Sequence, residues 1–148
     1  MKDERAHDVA LLLVRIVLAM VFIAHGGQKL FGWFGGKGLE GFTPAIVKMG
    51  MPPVVATLVA IGEFFGGLGL LAGLLTRIAA FGPILSMAGA VALVHGKNGF
   101  FLPSGFEYAL ALLILAVAIL IAGPGHYSLD ALLRRERRGF HVSRALPV

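Results

Sequence analysis

Seven side chains in an otherwise apolar sequence carry groups that donate, accept or relay protons: Arg15, His25, Gln28, Lys29, Glu63, His95 and Glu107. Lys29, Gln28 and His25 are donors suited to a carbonyl oxygen. Glu63, His95 and Glu107 are titratable and can exchange protons. Together they fit the binding of a small quinone-like or other amphipathic ligand, since quinone reduction takes up two protons with two electrons. Such a pocket needs few polar groups and a largely apolar lining, for which Phe22, Phe31, Phe64, Phe65 and Phe106 are available.

The same residues admit plainer readings. Arg15 and Glu63 suit a structural ion pair that fixes helix register, or a proton relay, because a lone ionised group in hydrocarbon costs at least ~3 kcal/mol. Lys29 and Glu107 suit an interfacial ion pair. His25 and His95 suit interfacial polar positions, axial haem ligation, or zinc binding with Glu107. Nothing else specifies a macrocycle pocket, and no local ligand spacing marks a metal site, so neither haem nor metal is expected. Gly35-Gly36-Lys37-Gly38 lacks the spacing and the strand–turn–helix context of a phosphate loop, and no serine stands beside a base in a nucleophile motif.

The elements that must position these groups follow from hydropathy. The chain is 57% hydrophobic and 14% charged, with a mean hydropathy of +0.86; a soluble domain has about a quarter charged residues. An apolar run of roughly 20 residues crosses the hydrocarbon core, and four such runs are legible: 9–30, 54–75, 78–94 and about 104–122. At about 100° per residue, Arg15, Phe22, His25 and Lys29 share one face of the first. Between the first two spans, Thr43 is placed to cap a short helix with Pro44 at its first position, ending at Gly50, as an interfacial or re-entrant lid. Gly62, Gly66, Gly69 and Gly73 form a small-residue stripe that lets helix backbones approach closely. Gly82-Pro83 is expected to kink the third span or loosen its first turns. Ser128 can cap an amphipathic tail helix over 128–140, suited to the membrane surface.

The fold expected is therefore an all-α integral membrane bundle, four helices running up and down with a short outer helix and a tail helix. Residues 1–8 form an N-terminus, 9–125 the membrane domain and 126–148 a basic tail. The net charge of +5 comes from Arg134, Arg135, Arg137, Arg138 and Arg144. A basic cluster just past a span marks topology and anionic lipid, not nucleic acid, and it places both termini in the cytoplasm. The first eight residues mix acids with bases and no small-residue cleavage site follows, so no signal peptide is expected. Absence of cysteine excludes intrinsic dithiol chemistry and thiolate-held iron–sulfur clusters.

Several motifs in this order resemble the DoxX family of small bacterial membrane proteins: Arg15 in the first span, HGGQKLFGWFGG at its end, GEFFGGLGLLAGLLTR with Glu63, Gly67, Gly73 and Arg77, Glu107 opening the fourth span, and GPGHYSLD over Gly123 to Asp130. The resemblance covers about residues 9 to 133. It implies a four-span protein of the bacterial plasma (inner) membrane, acting in oxidoreductase systems linked to thiosulfate:quinone oxidoreduction, quinone or catechol detoxification, or oxidative-stress complexes. It puts forward Arg15, Lys29, Glu63 and Glu107 as the functional polar set. With no cysteine here, sulfur transfer would have to reside on a partner, which favours a quinone role.

The expectation that emerges is a membrane oxidoreductase component. Its quinone-type cofactor would be held by His25, Gln28 and Lys29, with protons handled by Glu63, Glu107 and His95. No flavin, nicotinamide or metal motif supplies electrons, so a protein redox partner is expected, and a homo-oligomer is left open. A membrane scaffold or assembly factor, and a small-solute or proton-coupled transporter, are the other classes the sequence admits.

Overall fold

The computed structural model describes residues 2–135, and these are helical wherever they are regular, without strands. The chain forms α1 (Lys2–Phe31), α2 (Gly38–Lys48), α3 (Pro53–Ala72), α4 (Thr76–Gly89) and α5 (Glu107–Ala122). A π-helical stretch, Ala90–His95, extends α4, and residues 129–135 form a further helical segment. Three helical stretches, Asp3–Phe31, Pro53–Ala72 and Thr76–Asn98, are long and apolar enough to cross a membrane; α5 is apolar but shorter. The remainder of the tail helix expected over 128–140, with Arg137, Arg138 and Arg144, lies outside the described residues.

α1, α3, α4 and α5 pack in a closed circuit, each touching the next, and α2 rests against α1 and α3. The interior is built from Leu18, Phe22, Leu70, Leu112 and Ile119 with small alanines between them. The outward surface carries Leu13, Met20, Leu58, Ile78, Phe81, Leu85 and Ile121, all well exposed. An apolar surface this extensive is a liability in water and the ordinary exterior of a chain solvated by lipid.

In lipid, apolar burial no longer drives helices together, so contact distance matters more. The glycine stripe serves that end. A Cβ on Gly82 would fall onto the backbone of Gly62, and one on Gly66 would meet the Pro83 ring and the Ala79 carbonyl oxygen, each at 2.7 Å. α3 and α4 thus touch backbone to backbone over the half nearer their connecting turn. On the other side of α3, a Cβ on Gly26 would stand 2.5 Å from the Phe64 nitrogen, which fixes the crossing of α1 and α3.

Two expectations about local structure are corrected. The short helix starts at Gly38, not at Thr43, and Pro44 lies inside it. Pro83 does not loosen the first turns of α4, which are regular from Thr76 onward, and its buried ring packs into the space that Gly66 leaves; the irregular turns come later, at Ala90–His95.

Candidate functional site

The face of α1 that carries Arg15, Phe22, His25 and Lys29 meets two different environments. At its first half, Arg15 is 1% exposed and spends its guanidinium on backbone oxygens. Nε donates to Leu70 at 2.8 Å and Nη2 to Leu71 at 3.2 Å, while Nη1 donates to Pro124 at 2.7 Å and Tyr127 at 2.9 Å. Leu70 and Leu71 belong to the last turn of α3, where carbonyls lack helical partners and the helix dipole is negative. The expected ion pair of Arg15 with Glu63 is therefore replaced. A helix end, a loop and the field of Asp130 compensate the cation.

Asp130 also completes the turn between α3 and α4. α3 ends at Gly73 in the left-handed region (φ 64°), and a Cβ there would collide with Arg15 and Ser128. Leu75 follows with φ 46°, a conformation that costs a non-glycine residue about 1 kcal/mol or more. The Asp130 carboxylate accepts the Leu75 and Thr76 N–H groups, both at 2.9 Å, and so caps α4 from a distant part of the chain. Burial alone would raise the Asp130 pKa. Those hydrogen bonds and the nearby Arg134 outweigh burial and hold it below its ordinary value. Ser128 caps the helical segment 129–135 as expected, its hydroxyl accepting the Ala131 N–H at 3.2 Å.

At the other half of α1, Lys29 pairs with Glu63 instead of Glu107. The Glu63 side chain is 1% exposed, and its second oxygen accepts the Ser86 hydroxyl. Lys29 also stands 5.4 Å from the centre of the Phe42 ring, a cation–π contact from α2. Gly26 makes this pairing geometrically possible: the close crossing at Phe64 brings the neighbouring Glu63 beside Lys29, one turn further along α1.

Beside this triad lies a cavity of about 550 Å³. His25, Lys29, Glu63, Ser86, His95 and Tyr108 contribute its polar groups; Phe22, Phe42, Ile46, Val59, Leu85, Leu93 and Leu112 are among the apolar remainder. Four of the expected site residues thus line one cavity: His25, Lys29, Glu63 and His95. Two do not. Glu107 turns back to accept the Leu102 N–H at 2.8 Å, and Gln28 packs beside Gly36. His95 reaches the Ser104 carbonyl through Nδ1 at 3.0 Å. The described residues contain no group of three His, Cys, Asp or Glu side chains that could hold a metal.

Sequence reasoning missed Ser86, which reads as one more small residue on a membrane helix. The signal was depth. Glu63 lies nine residues from Val54 and Ser86 eight from Val94, so both sit ~13 Å from the same end of the bundle. The aromatic lining was also misassigned. Phe22 lines the cavity, whereas Phe31, Trp33, Phe64 and Phe65 stack on one another away from it, and Phe106 packs on Phe100.

Comparison with known proteins gives consistent relatives. The DoxX family model matches residues 10–96. An Escherichia coli (strain K12) protein named inner membrane protein YqjF is 32% identical over 142 residues, 90% of this chain and 98% of its own. A Bacillus subtilis (strain 168) protein named "Putative oxidoreductase CatD" is 27% identical over 140 residues, 95% of this chain and 98% of its own. A Mycobacterium tuberculosis protein named uncharacterized membrane protein Rv3486 is 30% identical over 142 residues, 85% of this chain and 82% of its own. No solved structure matches.

Proposed function

The chain belongs to the DoxX family of membrane proteins, and from that premise we propose that it is the ligand-binding membrane component of an oxidoreductase system, holding a quinone-like molecule in the cavity beside Glu63. One observation carries this reading: a largely apolar cavity of ligand size is walled at one place by a buried carboxylate that an ammonium and a hydroxyl each contact. Pockets of about 300–1,000 Å³ with an apolar lining and a few convergent polar groups are the usual form of a small-molecule site. A relative's name supports the redox class.

When bound, a quinone supplies the two-electron carrier. The protein's part is to bind, orient and exchange protons. Lys29 Nζ is the donor for a carbonyl oxygen. Glu63 holds that amine in place, and Ser86 orients the carboxylate. His25, exposed on α1 and lining the same cavity, connects the site to the end of the bundle for proton exchange. Electrons come from a protein redox partner.

In this reading α5 completes a four-span bundle in the bacterial plasma membrane. Both termini are cytoplasmic, with Arg77, Arg134 and Arg135 on that side facing anionic lipid. The test is to purify the protein, extract it for co-purified quinone, and repeat with Glu63→Gln and Lys29→Ala. Quinone retained by the native chain and lost from both variants supports the proposal. No quinone in the native chain, and none taken up from quinone-loaded vesicles, would overturn it.

A further inference from the structure

Glycines along α3 and α4 do not all meet the same surroundings. Gly62, Gly66, Gly69 and Gly82 press against the facing helix, so that a Cβ on any of them would meet backbone or side-chain atoms within about 3 Å. Gly89, two turns beyond Gly82, has nothing within 4 Å of where its Cβ would stand, and it lines the cavity. The two helices are in backbone contact on one side of the Gly62–Gly82 crossing and separate on the other.

The groups bounding the separation are apolar and open to the outside. Leu58 on α3 is 62% exposed, and Leu85 and Leu93 on the α4 side are 69% and 56% exposed, yet all three line the cavity. Of the polar lining groups, Lys29, Glu63 and Ser86 are joined by contacts to the Glu63 carboxylate and are shielded from the outside. α4 passes into a π-helix at Ala90–His95, directly after Gly89, and such turns recur at functional sites. In a bilayer the gap faces hydrocarbon.

We infer that the cavity is reached sideways from the membrane, through the gap between α3 and α4 bounded by Leu58, Leu85, Gly89 and Leu93. Its ligand is then an amphipathic molecule dissolved in the bilayer, with its polar end at Lys29–Glu63–Ser86 and its apolar chain in the gap. The identity of the polar end rests on the quinone reading above; the route does not.

The experiment uses the vacancy at Gly89. A Cβ there meets nothing within 4 Å and the position borders the cavity, so Gly89→Leu should fold and place its side chain in the gap. Binding of decyl-ubiquinone to the reconstituted variant should weaken about tenfold, while binding of the tail-less dimethoxy-methyl-benzoquinone should change less than about twofold. Because the chain has no cysteine, a nitroxide can be placed at Gly89→Cys alone, with lipid-facing Phe81→Cys and core Ala80→Cys as references. Oxygen in the bilayer should relax the Gly89 label as it does the Phe81 label, and decyl-ubiquinone should suppress that relaxation at Gly89 only. A Gly89 label reached instead by a water-soluble nickel complex, or as shielded as the Ala80 label, overturns the lateral route. Oxygen access that decyl-ubiquinone leaves unchanged supports the route and overturns quinone as the occupant.

Discussion

Arg15 and Lys29 stand on one face of one helix, about four turns apart, and the fold treats them in opposite ways. Arg15 gives four of its five N–H groups to backbone oxygens from α3 and the 124–127 loop and is 1% exposed. Lys29 has a single carboxylate partner and a ring face, and beyond them lies open volume. A cation with all but one of its donors spent on main-chain oxygens holds structure. A cation with one partner and spare donors beside a cavity can exchange that geometry for a ligand. The difference arises from the guanidinium's fixed fork, which suits several carbonyls at once, against the compact ammonium at the end of a flexible stem.

The comparison can be broken first at Arg15. Arg15→Leu leaves four carbonyl oxygens unpaired, each costing about 1–3 kcal/mol, and should lower thermal stability in detergent by ~4 kcal/mol or prevent accumulation altogether. Arg15→Lys retains the charge and loses the fork, so it should recover less than half. A variant at Arg15 with native stability would show that the carbonyl cluster is not holding the ends of α3 and α5 together.

Changes at the other site should cost function more than stability. Glu63→Gln leaves Lys29 without its counter-ion, but the Lys29 side chain is 22% exposed and keeps the Phe42 ring face. A stability loss of ~2 kcal/mol is expected, beside a binding loss of at least tenfold. Replacing both partners, Lys29→Met with Glu63→Leu, should restore stability to within ~1 kcal/mol of the native chain and leave binding abolished. If the double variant binds quinone, the pair is structural as Arg15 is. Ser86→Ala removes one hydrogen bond to the carboxylate and should cost ~1 kcal/mol, with a several-fold loss of affinity measurable in the same titration.

A smaller effect tests the Arg15 side by pH. Asp130 has a folded pKa below its ordinary value near 3.8. The stability it contributes is therefore fully present above that ordinary value and is lost as pH falls through the folded one. Melting temperature should drop as the pH is taken below about 4 in the native chain, and less so in Asp130→Asn, which already lacks ~1 kcal/mol of capping. Equal pH profiles for the two proteins would remove Asp130 from the account.

How far the sequence carried differs between the two sites for physical reasons. The helices were legible because hydrocarbon imposes length and composition on a span, and the glycine stripe because small residues at steps of three and four share a face. The pairing of charges was not. Glu63 is the sole acid between Val54 and Leu75, which made it the natural mate for Arg15. The groups that bind Arg15 are main-chain oxygens, which leave no trace in residue identity. Glu107 was misread similarly: its position at the start of α5 suggested a site, while its carboxylate serves the preceding loop. His25, Lys29 and His95 were placed in one region by depth alone, and depth held.

The cap on α4 has a consequence for how the protein is made. Leu75 and Thr76 are translated long before Asp130, and the loop oxygens of Pro124 and Tyr127 also follow Arg15 by more than a hundred residues. During synthesis the first helix enters with its guanidinium only partly satisfied, and the turn between α3 and α4 stays unlatched until the last stretch of chain arrives. The segment around 124–130 acts as the closing clasp. A chain that stops short of it has every apolar span but lacks the oxygens of Pro124 and Tyr127 for Arg15 and the Asp130 cap on the Leu75 turn.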